Sequence, residues 1–320
     1  MGEVAHLING LRKHDPRAIG RAISIVEDGG ESAEILLSSL DESLIDQTLV
    51  LGMTGPPGAG KSTLTSQIIS QLRKQGIRLG VIAIDPSSPI SGGAILGDRI
   101  RMMRHALDQD VVVRSMAARG RLGGLCSAAG GVVRIMANGG CSTIIIETVG
   151  VGQSEMDIVR LADITAMVLA PGLGDDIQAM KAGLLEVADL LVVNKADCSG
   201  AEMLAMDMEA MIRYRKSARE TPVCRTVATE GTGVSDLVAA IGSIDQRHRA
   251  SGEHHHRRKK SFQLEVIDRA LEILRPELLS TLKDLDGKYE LDPGRTARRL
   301  VELLRYHGDS GTTRARVFED

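Results

Sequence analysis

The 320-residue chain has no tryptophan, three tyrosines and two phenylalanines. These aromatics, Tyr214, Phe262, Tyr289, Tyr306 and Phe318, all lie in its last third or close to it. Single-stranded nucleic acid is usually held on stacked aromatic rings, and the first 200 residues offer none. A basic excess is also missing: 39 Lys and Arg stand against 42 Asp and Glu, a formal net charge of -3. Such a balance exerts no global pull toward nucleic acid or a membrane surface. No apolar run approaches the roughly 18 residues of a membrane span, and the N-terminal "MGEVAHLINGLRKHDPR" carries no continuous apolar segment of a secretory signal. The four cysteines, Cys126, Cys141, Cys198 and Cys224, are far apart and form no C-x-x-C pair. They read as reduced thiols of a cytoplasmic protein rather than a disulfide framework or metal site.

Short apolar, β-branched runs are plentiful. After 46 residues of short helices, in which Ile19, Ile23 and Val26 share a face, strand candidates alternate with helical patterns. They are Leu49–Thr54, Leu79–Ile84, Val111–Val113, Ser142–Thr148, Ile164–Ala170, Leu190–Asn194 and Pro222–Ala228. Strands apolar on both faces, separated by helices, predict a doubly wound, mostly parallel α/β sheet. The expected organisation is an N-terminal helical extension over 1–46, an α/β domain over 47–246, a solvated basic linker over 247–260 and a helical segment over 261–320. The linker contains "HHHRRKK", His254 to Lys260.

One stretch carries chemistry outright. "GPPGAGKST", Gly55, Pro56, Pro57, Gly58, Ala59, Gly60, Lys61, Ser62 and Thr63, matches G-x-x-x-x-G-K-[ST] and sits between a strand and a helix. Glycines let such a loop curl so that several N–H groups face one anion, and the following helix adds its positive end. Lys61 is expected to reach the β- and γ-phosphates, and Ser62 to ligate Mg²⁺. Glu147, at the end of the most apolar strand, occupies the acidic place expected beside that ion, and Gly150 the place where an N–H meets the γ-phosphate. "NKAD", Asn194, Lys195, Ala196 and Asp197, ends another strand. An aspartate there accepts from both N1–H and the exocyclic amine of guanine, whereas adenine would leave it unpaired. The expected ligand is therefore GTP or GDP. Gln153 either orients the attacking water or serves as a polar switch residue; the sequence leaves both open.

The segments Ile84–Met102, Arg114–Leu125, Glu147–Glu155 and Gly174–Asp189 closely resemble the MeaB/ArgK family, P-loop GTPases of the SIMIBI class. The resemblance covers Arg17 to Gln246. It implies a slow, Mg²⁺-dependent GTPase that chaperones an adenosylcobalamin-dependent acyl-CoA mutase such as methylmalonyl-CoA mutase, gating cofactor delivery and protecting the enzyme. It carries the magnesium and switch positions onto Asp85, Asp98 and Glu147, the catalytic lysine onto Lys61, and a third switch onto Gly174–Asp189. Asp98 equally suits the N-cap of a helix beginning "DRIRMM". The family often ends in a helical dimerisation arm, and the amphipathic tail from Phe262 to His307 is compatible with a homodimer. Two rival readings remain: a kinase tied to arginine/ornithine (LAO/AO) transport, which should prefer ATP, and a metal-insertion GTPase, which should carry a Cys/His cluster near the nucleotide.

Overall fold

Apolar residues alternate sides along each central strand, and this alternation builds a three-layered fold. The structure is a computed structural model that describes residues 2–86, 105, 107–118, 124–148, 154–173, 187–214, 220–284 and 292–309. In chain order the strands are β1 (Leu49–Thr54), β2 (Leu79–Pro86), β3 (Val111–Ala118), β4 (Thr143–Thr148), β5 (Ile164–Leu169), β6 (Leu190–Asn194) and β7 (Val223–Thr226). They form one seven-stranded sheet in the order β3-β2-β4-β1-β5-β6-β7, with every pairing parallel. Four helices precede the sheet: α1 (Gly2–Arg12), α2 (Pro16–Asp28), α3 (Glu31–Ser38) and α4 (Glu42–Gln47). Between and after the strands come α5 (Lys61–Lys74), α6 (Gly124–Asn138), α7 (Ser154–Leu161), α8 (Ala201–Tyr214), α9 (Val234–Ser251), α10 (Glu253–Asp284) and α11 (Pro293–Asp309).

On one face, Val50, Ile82, Ile84, Ile144 and Ile146 pack with Ile19, Ile23 and Val26 of α2 and Val132, Ile135 and Met136 of α6. The N-terminal helices therefore belong to the same core as the sheet. On the other face, Leu51, Met53, Val81, Ile145, Val168 and Val192 meet Leu64, Ile68 and Ile69 of α5 and Leu237, Ile241 and Ile244 of α9. Asp15 caps α2 by accepting from the Arg17 N–H at 3.0 Å, with Pro16 as its first residue, an arrangement that starts a helix cleanly.

Correcting the expected linker, residues 247–260 are helical apart from the break at Gly252, with α9 passing through Gln246 to Ser251 and α10 beginning at Glu253. The chain divides instead into a compact unit ending at Glu265 and a second one from Val266 onward. Buried carboxylates explain the difference. Asp163 and Asp189, 2% and 1% exposed, each stand one residue before a strand, β5 and β6 respectively. Arg258 Nη2 reaches Asp163 Oδ2 at 2.7 Å, and Arg257 Nη1 reaches Asp189 Oδ2 at 2.9 Å. His254 Nε2 lies 3.5 Å from Asp163, and His248 Nε2 lies 3.6 Å from Asp189. A run of cations that reads as solvated is thus drawn onto the sheet by two charges that it must neutralise. Among the described residues no helix is long and apolar enough to cross a membrane.

Candidate functional site

β1 ends at Thr54, in the middle of the sheet between β4 and β5, and the chain turns there into the glycine loop. In an open parallel sheet this carboxyl edge is where ligands collect. Two positions show why the loop needs glycine. Gly55 has φ 137°, and a Cβ there would lie 2.0 Å from the Val168 carbonyl oxygen. Gly60 has φ 89°, and its Cβ would lie 2.4 Å from Asn194 Nδ2. Both backbone conformations are ones that side chains rarely adopt, and both positions sit against neighbouring strands. Gly60 is also the N-cap of α5, which places the helix's unsatisfied N–H groups and positive end at the loop.

Lys61, the first residue of α5, is 6% exposed. Its Nζ donates to the carbonyls of Gly55 at 2.6 Å and Pro56 at 3.0 Å, so the ammonium lies folded along the loop it follows. Ser62 Oγ donates to Glu147 Oε1. Glu147 is 1% exposed on β4 and in register with Met53 of β1, which brings a carboxylate from one strand beside a hydroxyl from the helix after its neighbour.

The Asn194–Asp197 turn is joined to the same loop. Asn194, at the end of β6, donates from Nδ2 to the Ala59 carbonyl at 2.8 Å. Its Oδ1 accepts from Thr226 Oγ1 and from the Ala228 N–H, each at 3.1 Å. Lys195 has φ 55°, and the Ala196 and Cys198 N–H groups bond to Thr226 O and Lys195 O, each at 3.0 Å; the tight turn leaves Asp197 exposed. Thr226 and Ala228 are site residues that the motifs did not reveal. The available signal is register: Thr226 ends β7 directly opposite Asn194.

Of the remaining expected residues, Asp85 has its backbone at the carboxyl end of β2, opposite Ala117, but its side chain lies outside the described residues. Asp98, Gly150 and Gln153 lie outside them altogether, as does most of Gly174–Asp189. Arg114, on β3 at the start of one of the family-like segments, pairs with Glu27 of α2 through Nε at 3.0 Å and Nη2.

Residues 19–282 match the family described as Methylmalonyl Co-A mutase-associated GTPase MeaB, a match that continues well past Gln246, where the recognisable motifs end. A Pyrococcus horikoshii protein named as a GTPase is 40% identical, over 95% of this chain and 99% of its own length. The Mus musculus methylmalonic aciduria type A homolog is 34% identical, over 78% of this chain and 65% of its own. Among solved structures, an LAO/AO transport system kinase superposes with a TM-score of 0.67 at 25% identity, covering 95% of this chain and 98% of that one. Parallel sheet, glycine loop, Ser62–Glu147 contact and Asn194 bridge agree with these likenesses, and the chain belongs to the MeaB family of P-loop GTPases.

Proposed function

We propose that this protein binds GTP and GDP, hydrolyses GTP with Mg²⁺, and uses its nucleotide state to gate adenosylcobalamin delivery to, and to protect, a cobalamin-dependent acyl-CoA mutase in the cytoplasm. The observation that carries the nucleotide reading is the Asn194–Ala59 bond, which makes the base-reading turn and the phosphate loop one piece. The mutase rests on the family. In this reading the N–H groups of Gly55 to Thr63 receive the phosphates, with the Gly150 N–H meeting the γ-phosphate, and Lys61 exchanges its loop carbonyls for β- and γ-phosphate oxygens. Ser62 and Glu147 are hard oxygen donors already in contact, a pair that fits Mg²⁺, and by the family resemblance Asp85 and Asp98 would join them in holding it. Bound Mg²⁺ supplies charge neutralisation on the phosphate oxygens. Gln153 orients the attacking water or acts as a polar switch residue, and Gly174–Asp189 presents the nucleotide state to the mutase.

The aspartate of the base motif tests this reading against a kinase. Asp197→Asn is expected to weaken GTP by about a hundredfold and to gain xanthosine nucleotides, since an amide donates to the 2-oxo group where the carboxylate accepted from an amine. Binding titrations with GTP, XTP and ATP check it. Unchanged GTP affinity, or an initial preference for ATP, contradicts guanine recognition.

We also propose a homodimer through the C-terminal helices. On α10, Ile267, Leu271 and Leu274 follow helical spacing and are 55%, 57% and 42% exposed. Three large apolar side chains on one open stripe fit a partner helix. Light scattering of the full-length protein is expected to give twice the chain mass, and Leu271→Asp to give a folded monomer. A wild-type monomer at micromolar concentration overturns the dimer.

A further inference from the structure

β1, β5 and β6 are neighbours in the sheet, and each ends at a piece of the proposed nucleotide site: Gly55 follows β1, Pro171 and Gly172 lie between the end of β5 and the third-switch segment, and Asn194 closes β6. Their opposite ends share one device. Asp163 N–H donates to the Val50 carbonyl at 2.8 Å, while its side chain accepts the Val50 N–H at 2.8 Å. Asp189 repeats this one strand over, with N–H to the Thr165 carbonyl and Oδ2 accepting the Thr165 N–H, both at 2.9 Å. Each aspartate closes the ladder to the preceding strand, and successive arginines of α10 hold the pair. Arg257 also donates to the Asp163 carbonyl at 3.0 Å, and Arg258 to the Thr48 carbonyl at 2.6 Å, so the starts of all three strands are tied to two adjacent guanidinium groups.

We propose that Arg257 and Arg258 are positioning residues for the nucleotide site, acting through Asp189 and Asp163 on β6, β5 and β1. The inference rests on the GTPase reading above and adds to it a regulatory input: the first turns of α10 set how tightly nucleotide is held. Strands of five or six residues, close-packed on both faces, do not stretch. A change at their starts is therefore felt where they end, about 15–20 Å away by strand rise. Coupling is reciprocal, so nucleotide in the site must in turn tighten the ladder-closing amides.

The test uses the full-length protein and a fluorescent GDP analogue. Arg257→Gln is expected to speed GDP release about five- to tenfold and to raise KM for GTP with kcat kept within about twofold, and Arg257→Lys to restore part of the loss. Asp110→Asn is the control. It removes a carboxylate ahead of β3 that pairs with Arg78 and with Arg73, at the opposite end of α5 from Lys61; none of the site residues named above lies on β3, and GDP release is expected to stay unchanged. In the wild type, GDP should slow hydrogen exchange at the Val50 and Thr165 amides, a readout that survives even if the variants fold poorly. A fall in stability without faster release in Arg257→Gln, or exchange at Val50 and Thr165 indifferent to GDP, overturns the proposal and leaves α10 a structural brace. Failure of the wild type to bind the analogue at all overturns the functional reading, and this inference with it.

Discussion

Lys61→Ala is expected to lower GTP turnover by about a hundredfold or more while leaving the protein folded, because it removes a preorganised positive charge from the point where negative charge builds on the transferring phosphate. Lys61 Nζ donates to the backbone carbonyls of its own loop, Gly55 and Pro56, and Lys61 belongs to neither apolar core, so its removal leaves the packing of the sheet in place. Its aliphatic stem adds some buried surface, so a small drop in stability accompanies the change. Steady-state hydrolysis at saturating GTP, with chemical denaturation run alongside, checks both halves. Turnover near the wild type's would show that the loop does not hold the reacting phosphates.

The second large effect lies at the other edge of the sheet. Arg258→Met is expected to destabilise the protein by about 3–5 kcal/mol, since it leaves Asp163 charged and buried with its main counter-charge gone. Burial works to raise the Asp163 pKa, but the hydrogen bonds and charge of Arg258, with the His254 ring close by, outweigh it and bring the value from 3.8 down to about 2. A folded-state pKa below the unfolded one means that the aspartate's contribution, about 2 kcal/mol, is fully present above pH 3.8 and is lost as pH falls toward 2. Urea denaturation of wild type and variant from pH 7 down to 2.5 checks the sign. The wild type should lose stability across that acid window. In Arg258→Met the Asp163 contribution should be smaller at every pH, and Asp163→Asn combined with Arg258→Met should cost less than the sum of the two single changes. Additive losses, or a variant as stable as the wild type, would mean that Asp163 and Arg258 do not depend on one another.

The contrast between these two sites explains what the sequence discloses. The glycine loop is legible because its function demands local geometry: Gly55 and Gly60 must take conformations denied to other residues, and Lys61 and Ser62 must open the helix that follows. The five inner strands, β1, β2, β4, β5 and β6, are legible for a similar reason, each being a largely apolar run buried on both faces. The edge strands are the exceptions: β7 is half-buried with Arg225 exposed, and β3 is only partly legible. Its apolar signal ends at Val113, yet pairing with β2 carries the strand on to Ala118, through Arg114 and Ser115. The long-range contacts are less visible. Nothing local marks Thr226 as the hydroxyl that holds Asn194, since they meet only because β7 pairs with β6. The basic stretch misleads for the same physical reason. Hydropathy reads Arg257 and Arg258 as solvated, and their partners Asp163 and Asp189 lie 94 and 68 residues away in sequence by the contacts they make. The one signal that could have exposed them is the repeated Ala-Asp before a strand, Ala162-Asp163 and Ala188-Asp189, where a charge precedes a largely apolar run that the fold buries completely. An aspartate in that place is buried by its neighbours and must find a cation.

The proposed guanine recognition and phosphate binding, joined through the Asn194–Ala59 bond, would make the protein a nucleotide switch, and a switch needs a reader. The proposed reader is a cobalamin-dependent acyl-CoA mutase. The most direct measurement is the rate of GTP hydrolysis by the full-length protein alone and with the adenosylcobalamin-dependent mutase from the same cells, under saturating GTP and Mg²⁺. Acceleration by about tenfold, equivalent to some 1.4 kcal/mol off the barrier, is the predicted result, with Lys181→Ala and Gln178→Ala in the third-switch segment losing the acceleration and keeping the basal rate. A hydrolysis rate that the mutase leaves unchanged would contradict the account.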